Sequence, residues 1–295
     1  MLSHLKKRIK KPAALTNQQK IFIPIRFSVL TEEKAWEIAK EESFANYKAN
    51  LFASKRLDTK FWLFESIVIP NLLAVEQLSP IRVQVQLLIA AELPKHYKAR
   101  LTTLGTAHDF ITIHEVARDE VIARKITQII EAELKAAKND TTFATVRLDD
   151  DDLLSHQFGE KLSKYITQPF CGHIVSFSKG FEAYIDLADK RLEPVVRIST
   201  PKIALGMAHI NHYDYKEQSL VHATPHIYAA GNHTRVHLTH SLILDQAPKM
   251  YSRMCYPGQD TQASNIFARI KRNDFTSSSK KEILTEFPEL QNLLN

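Results

Sequence analysis

Thr141-Thr142-Phe143-Ala144-Thr145-Val146-Arg147-Leu148-Asp149-Asp150-Asp151-Asp152-Leu153-Leu154 is a β-branched, apolar run that ends on four consecutive carboxylates. Its first half reads as a buried strand. Four adjacent carboxylates repel one another unless a cation or hydrogen-bond donors offset them. If the chain is still extended there, Asp149 and Asp151 point to one side and Asp150 and Asp152 to the other. A carboxylate pair at the end of a strand suits Mg²⁺ or Mn²⁺, hard ions that keep waters and share phosphate oxygens. The competing reading is an acidic N-cap for a helix at Leu153, for which one or two aspartates suffice. A Ca²⁺ loop needs a glycine after the third acid and a closing glutamate, and the stretch has neither.

Outward from this point the chain alternates strands with helices. Towards the N-terminus, Asp119 opens a periodic helix with Val121, Ile122, Ile126, Ile129, Ile130 and Leu134, preceded by strands at 110–116 and 82–91. A helical stretch from Asp58 to Gln77 is expected to be interrupted at Pro70. Thr31, with Glu32 and Glu33 behind it, reads as the start of a helix that continues through Trp36, Phe44, Tyr47 and Leu51. Ile21 to Phe27 reads as the first strand.

This alternation predicts an α/β fold, a mostly parallel central sheet flanked by helices, with ligands at the carboxyl ends of its strands. After Ile166, the strand-like stretches 172–178, 183–187 and 195–198 predict a smaller antiparallel β element in the second half. A basic tail, residues 1–20, precedes one domain, residues 21–295, whose halves divide near residue 178.

Composition narrows the function. The chain has 295 residues, 39 Lys plus Arg against 33 Asp plus Glu, and a net charge of +6. Lys6, Lys7, Arg8, Lys10, Lys11 and Lys20 supply that excess, so the body is neutral and a nucleic-acid-binding surface is not expected. The tail's Leu2, Leu5 and Ile9 fit a basic amphipathic helix on an anionic membrane; a solvated arm ended by Pro12 fits equally. No apolar stretch follows the basic residues, which argues against a secretory signal, and no apolar run reaches the roughly 18–20 residues of a spanning helix. Only seven glycines occur, too widely spaced for a dinucleotide or Walker loop, so any nucleotide must be held another way. Two cysteines, Cys171 and Cys255, suit a reducing cytoplasm.

The run Arg147-Leu148-Asp149-Asp150-Asp151-Asp152 resembles the R-L-D-D-D-D signature of a bacterial rhamnosyltransferase family, glycosyltransferases with a GT-A-like fold. Arg26-Phe27-Ser28 is similar to that family's R-F-S opening. Arg56-Leu57, Phe61, Leu63-Phe64-Glu65, Pro70, Leu72 and Gln77 resemble its early helix, and Leu93-Pro94 its following L-P. Late in the chain, Met250-Tyr251-x-Arg253 with Asp260 looks like its M-Y-x-R segment and downstream N-D-S, and His233 sits where the family carries G-H-H. The stretch after Arg253, Met254-Cys255-Tyr256-Pro257-Gly258-Gln259, departs from the family's histidine and asparagine richness. The likeness spans about residues 21–265, dense in the first half and patchy between 175 and 250.

The resemblance implies transfer of a sugar from a nucleotide-sugar donor to a hydroxyl of a surface glycan or glycolipid, aided by Mn²⁺ or Mg²⁺. Asp149 and Asp151 would then hold the metal. Arg26, Arg147, Asp149, Asp150 and Arg253 would contact the donor, and Asp152, Asp260 and His233 would be catalytic. Arg147 and Arg26 read equally well as ion-paired structural residues, and Arg56 and Glu65 as structural residues that pair with each other or with neighbouring loops. For the acceptor's proton the spacing leaves Asp214, Glu217, Asp245, Asp260 and His233 open. A cytoplasmic enzyme, peripheral to the inner membrane through its tail, follows as the expectation.

Two other classes remain in view. His209, His212, His222, His226, His233, His237 and His240 invite a metal hydrolase, with His233, His237 and His240 spaced for one helix face. However, neither H-E-x-x-H nor the full metallophosphoesterase motif set is present. An inactive carbohydrate-binding protein of the same fold is the other, opposed by the electrostatic cost of unused adjacent carboxylates.

Overall fold

A computed structural model of the chain describes residues 18–32, 43–247, 249–259, 276–277 and 280–294. The tail through residue 17, Trp36 and Asp260 lie outside the described residues.

The strands in chain order are β1 (Gln18–Phe27), β2 (Arg82–Ala90), β3 (Ile111–Val116), β4 (Thr141–Val146), β5 (Leu153–Leu154), β6 (Ile174–Phe177), β7 (Lys179–Asp186), β8 (Arg191–Ser199), β9 (Ala208–Asp214), β10 (Ser219–Leu220), β11 (Leu242–Asp245), β12 (Tyr251–Cys255) and β13 (Thr276–Ser277). The central sheet runs β11-β6-β9-β4-β1-β2-β3, with β10 appended to β9. Along that order the pairings are parallel except for those of β9, which is antiparallel to both neighbours. The second sheet, β13-β8-β7-β12-β5, is largely antiparallel. The expected α/β architecture with a smaller, mainly antiparallel element is therefore present, and the central sheet draws strands from both sides of residue 178.

β1 is buried on both faces from Ile21 to Ile25, as a central strand of a helix-covered sheet requires. It starts at Gln18, so the expected tail boundary at residue 20 falls inside the sheet. Pro24 lies two residues beyond the last β1–β4 pair, Phe22 with Thr145. Proline has no N–H to continue a ladder, so β4 parts from β1 there and the sheet opens at its carboxyl end. Ser28 follows with φ of 48°, a left-handed turn that carries the chain out of β1.

The helix Ser54–Leu78 covers this end of the sheet. It presents Leu57, Phe61, Phe64, Leu72 and Val75 inward, and Phe27 of β1 packs against Phe61 and Phe64 with ring centroids 4.8 and 5.3 Å away. By length and composition this helix could cross a membrane, yet its apolar side is spent on the sheet. The interruption expected at Pro70 does not occur. Residues Phe64–Val68 form a π-helical turn in which Ile69 N–H donates to Phe64 O, so the helix absorbs the proline's missing donor and continues. The helix expected to open at Asp119 begins instead at Ile122, with Val121 exposed at its N-cap.

One junction matters most for function. The four aspartates form the turn between β4 of the central sheet and β5, which pairs with β12 of the second sheet. The turn is thereby pinned to both sheets.

Candidate active site at the acid turn

The four carboxylates do not alternate as an extended chain would have them. The backbone turns, Asp152 N–H reaching Asp149 O at 3.4 Å, and each side chain takes a different partner. Asp149 accepts from Arg26 Nη2 at 3.2 Å, and Arg26 comes from the end of β1. Asp150 accepts from Lys60 Nζ of the long helix at 2.5 Å. Asp151 accepts from the Tyr256 hydroxyl at 2.8 Å, and Asp152 from the Met254 amide of β12 at 3.0 Å. Asp150 and Asp152 are buried, whereas the Asp149 side chain is 49% exposed and is the open face of the turn.

Position in this set decides protonation. Burial pushes the Asp149 carboxyl up, but Arg26 and then Arg147 outweigh it and hold it below the usual carboxylate range. Burial followed by Asp150 and Asp149 lifts Asp151 to about 6 against the pull of Lys60. Burial, Asp151 and Asp149 raise Asp152 well above the usual carboxylate range. Burial disfavours the Lys60 ammonium, yet Asp150 and Asp151 leave its pKa above the ordinary lysine value. The turn thus sets a firm anion, Asp149, against Asp151 and Asp152, which keep their protons to higher pH than an ordinary carboxylate.

A second layer faces Asp149. The guanidinium carbons of Arg26 and Arg147 lie 4.8 and 5.6 Å from the centre of the Tyr228 ring. The Tyr228 hydroxyl donates to Pro24 O at 2.8 Å and is 3.3 Å from Leu148 O, which bridges the gap where β4 leaves β1. Arg147 Nε is buried with no hydrogen-bond partner among the described residues, an orphaned donor that a phosphate oxygen would satisfy. On the acceptor side, Asp150 Oδ2 is equally orphaned. Arg253 lies 3.6 Å from Glu182, and Asp152 and Glu182 keep its guanidinium charged against burial.

The residues named from the sequence separate into groups. Arg26, Arg147, Asp149, Asp150, Asp151, Asp152 and Arg253 are tied together through these contacts. His233 is not among them: its Nδ1 donates to Lys202 O at 2.8 Å, in the connection from β8 to β9. Asp260 lies outside the described residues. Of the two arrangements expected for Arg56 and Glu65, the structure has the contacts with neighbouring segments: Arg56 donates to Ser28 Oγ and Leu51 O, both at 3.1 Å, while Glu65 pairs with Arg100. Three residues were missed by sequence reasoning: Lys60, Tyr228 and Tyr256. Lys60 had a signal, a lysine on the helix face of Leu57, Phe61 and Phe64, where a charge needs a partner. The tyrosines arrive from distant segments and left none.

The donor set suits a hard cation. It consists of carboxylate oxygens, two of them on partly exposed side chains, Asp149 and Asp151, beside an orphaned buried acceptor. The aspartates diverge, so the chain offers one or two ligands there rather than a closed cage.

Among solved structures, the chain is similar to TarS 1–349 of S. aureus, with 6% identity and a TM-score of 0.38, covering 80% of this chain. It spans 60% of that structure's length. A putative glucose-1-phosphate thymidylyltransferase from Bacillus anthracis, in complex with a sucrose, gives 12% identity and a TM-score of 0.41, covering 88% and 98% of the two chains. A putative nucleotide-diphospho-sugar transferase from Desulfovibrio desulfuricans G20 gives 10% identity and a TM-score of 0.32, covering 95% and 99%. These likenesses are distant and carry no assignment. No curated protein matches the chain. A family model described as putative rhamnosyl transferase matches residues 20–224, from β1 through the acid turn and past β10. The chain belongs to that family, a family of glycosyltransferases.

Proposed function

We propose that the acid turn is the donor site of a GT-A-like, metal-dependent glycosyltransferase. It moves a sugar, rhamnose by the family's description, from a nucleotide-sugar to a hydroxyl of a surface glycan or glycolipid. The observation that carries the reading is the pairing of Asp149 with Arg26 at its open face, next to the orphaned Arg147 Nε. A diphosphate brings negative oxygens that both arginines can bind, and Asp149 stays ionised beside them.

Asp149 and Asp151 would hold Mn²⁺ or Mg²⁺, which when bound offsets charge on the leaving diphosphate. Arg26 and Arg147 hold and orient the phosphates, and both guanidinium groups lie near the Tyr228 ring. Arg253 keeps Asp152 in the electrostatic balance of the turn. Of the residues named as catalytic, Asp152 lies within the turn, and its raised pKa makes it a base for the acceptor's proton once ionised. His233 and Asp260 are the alternatives to compare by substitution. The five cations among residues 1–17 would bring the enzyme to the anionic cytoplasmic face of the inner membrane, where lipid-linked acceptors lie.

The test is a panel of nucleotide-sugars scored for transfer and hydrolysis, with and without Mn²⁺. Turnover of at least one donor that requires the metal, and that Arg147→Met depresses through donor KM, supports the reading. A panel with no turnover, combined with no binding of any nucleoside diphosphate, overturns it.

A further inference from the structure

The fold sorts the histidines between residues 209 and 240, and the spacing that suggested one helix face for His233, His237 and His240 is not realised. His237 lies in a short 3₁₀ turn, Val236–Leu238, 3.2 Å from Lys202 Nζ. His212 bonds to Thr142 Oγ1 at 2.9 Å, and His226 to Ala123 O at 2.9 Å.

The remaining three converge. His209 of β9, His222 just after β10 and His240 just before β11 have ring centroids 5.3, 5.6 and 5.7 Å apart. One ring nitrogen of each lies within 4.8 Å of the other two. His209 is fully buried, and neither of its ring nitrogens has a hydrogen-bond partner among the described residues. A buried ring with both nitrogens unsatisfied is costly unless something else satisfies it.

We infer that His209, His222 and His240 form a binding site for a transition-metal ion of the Zn²⁺ class, each giving one ring nitrogen and leaving a further position open.

The donor chemistry separates this site from the acid turn. Imidazole suits Zn²⁺, Cu²⁺ or Ni²⁺, whereas Mg²⁺ and Ca²⁺ prefer oxygen. With Zn–N bonds of about 2.0–2.1 Å, ligand nitrogens stand roughly 3.4 Å apart, so the triad closes by a modest inward shift. His209 is fixed by the sheet, opposite Thr145 of β4 and Ile174 of β6, and the two half-buried rings on connections make the movement.

The surroundings are built to suit. Gly172, at φ of 84°, makes room for His222: a Cβ there would stand 2.6 Å from the imidazole. Thr239 Oγ1 holds His240 Nδ1 at 2.9 Å, the outer contact that orients a ligating ring. Thr224 is the residue that yields, since its amide reaches His222 Nδ1 at 3.2 Å and its hydroxyl His240 Nε2 at 2.9 Å.

The consequence is mechanical. His222 and His240 bracket the segment that carries Tyr228, the ring that both Arg26 and Arg147 approach. An ion joining both ends to His209 clamps that segment onto β9.

The test uses the full chain stripped of metal by a chelator and titrated with Co²⁺ alone. Expected are one equivalent bound with an intense tetrahedral visible spectrum, displacement by Zn²⁺, and a rise in Tm with Zn²⁺. His222→Gln and His240→Gln, half-buried and outside the strands, keep the fold and each weaken binding more than roughly a hundredfold, because even losing an outer-shell partner costs 10–100-fold. Asp149→Asn leaves the spectrum unchanged, which separates this site from the acid turn. Absence of a stoichiometric site, or binding that survives both histidine variants, overturns the inference. So does a spectrum lost in Asp149→Asn instead.

Discussion

The acid turn and the histidine triad solve opposite problems with the same sheet. At the turn, four carboxyl groups have been gathered and each has been given its own partner, from β1, the long helix, β12 and the residue beyond it. At the triad, no charged partner is supplied among the described residues, and the innermost ring is left with neither nitrogen bonded to any of them. Buried charge is tolerated only when it is paired, whereas a neutral imidazole can be stored without a counter-ion at the cost of a hydrogen bond. The turn is therefore suited to a charged, oxygen-rich ligand and the triad to a soft one.

The comparison is broken most severely at Lys60. Lys60→Met leaves Asp150 buried without its cation and should destabilise the fold by about 3–5 kcal/mol in urea denaturation. The double variant Lys60→Met/Asp150→Leu should recover most of that loss; failure to recover would mean that the pair is not what holds the turn. Next comes Asp151→Asn. It should cost turnover roughly 10²–10³-fold while Tm and the Co²⁺ spectrum stay close to those of the wild type. A carboxamide resembles the protonated carboxyl that Asp151 retains up to about pH 6, which is why the fold should accept it. Full activity would refute the metal role of Asp151.

A smaller effect separates the two regions by the sign of their pH response. Asp151, raised to about 6, binds its proton more tightly in the folded chain. Its contribution is present below the unfolded carboxylate pKa and is lost as pH rises through 6. His209, depressed to about 3, does the reverse: stability is intact above its ordinary 6.5 and falls as pH drops towards 3. With chelator present, lowering the pH to about 5 should cost about 2 kcal/mol through His209, a loss absent in His209→Phe. Equal acid sensitivity in the two proteins would remove the buried-neutral assignment.

The smallest effect on fold and chemistry should come from removing residues 2–17, which stops short of β1. Activity on a soluble acceptor should be unchanged, and only binding to anionic vesicles should weaken, at about 1 kcal/mol per lost cation near the surface. Unchanged vesicle binding would end the membrane proposal.

Much of this was legible in the chain itself. The strand-to-acid transition at Thr141–Asp152 marked the sheet and the candidate site, because burial and charge repulsion are properties of neighbours in sequence. The same local logic missed at Pro70, where a π-helical turn supplied by the fold overrode the proline's tendency to break the helix. It missed as well in giving the aspartates two faces, since the backbone turns there and four distant partners draw them apart.

The order of residue types along the chain was enough to determine the α/β class, the buried strands, the basic tail and the acid motif. All of these follow from interactions between residues a few positions apart. Which carboxylate stays ionised, which helix supplies the compensating lysine and which three of the histidines meet were decided only in the folded chain. Those outcomes depend on pairs separated by 90 to 123 residues at the turn, and on three segments brought together around β9 at the triad. Electrostatics and ligation act over a few ångströms of space whatever the separation along the chain, so periodicity and spacing could name the candidates without pairing them.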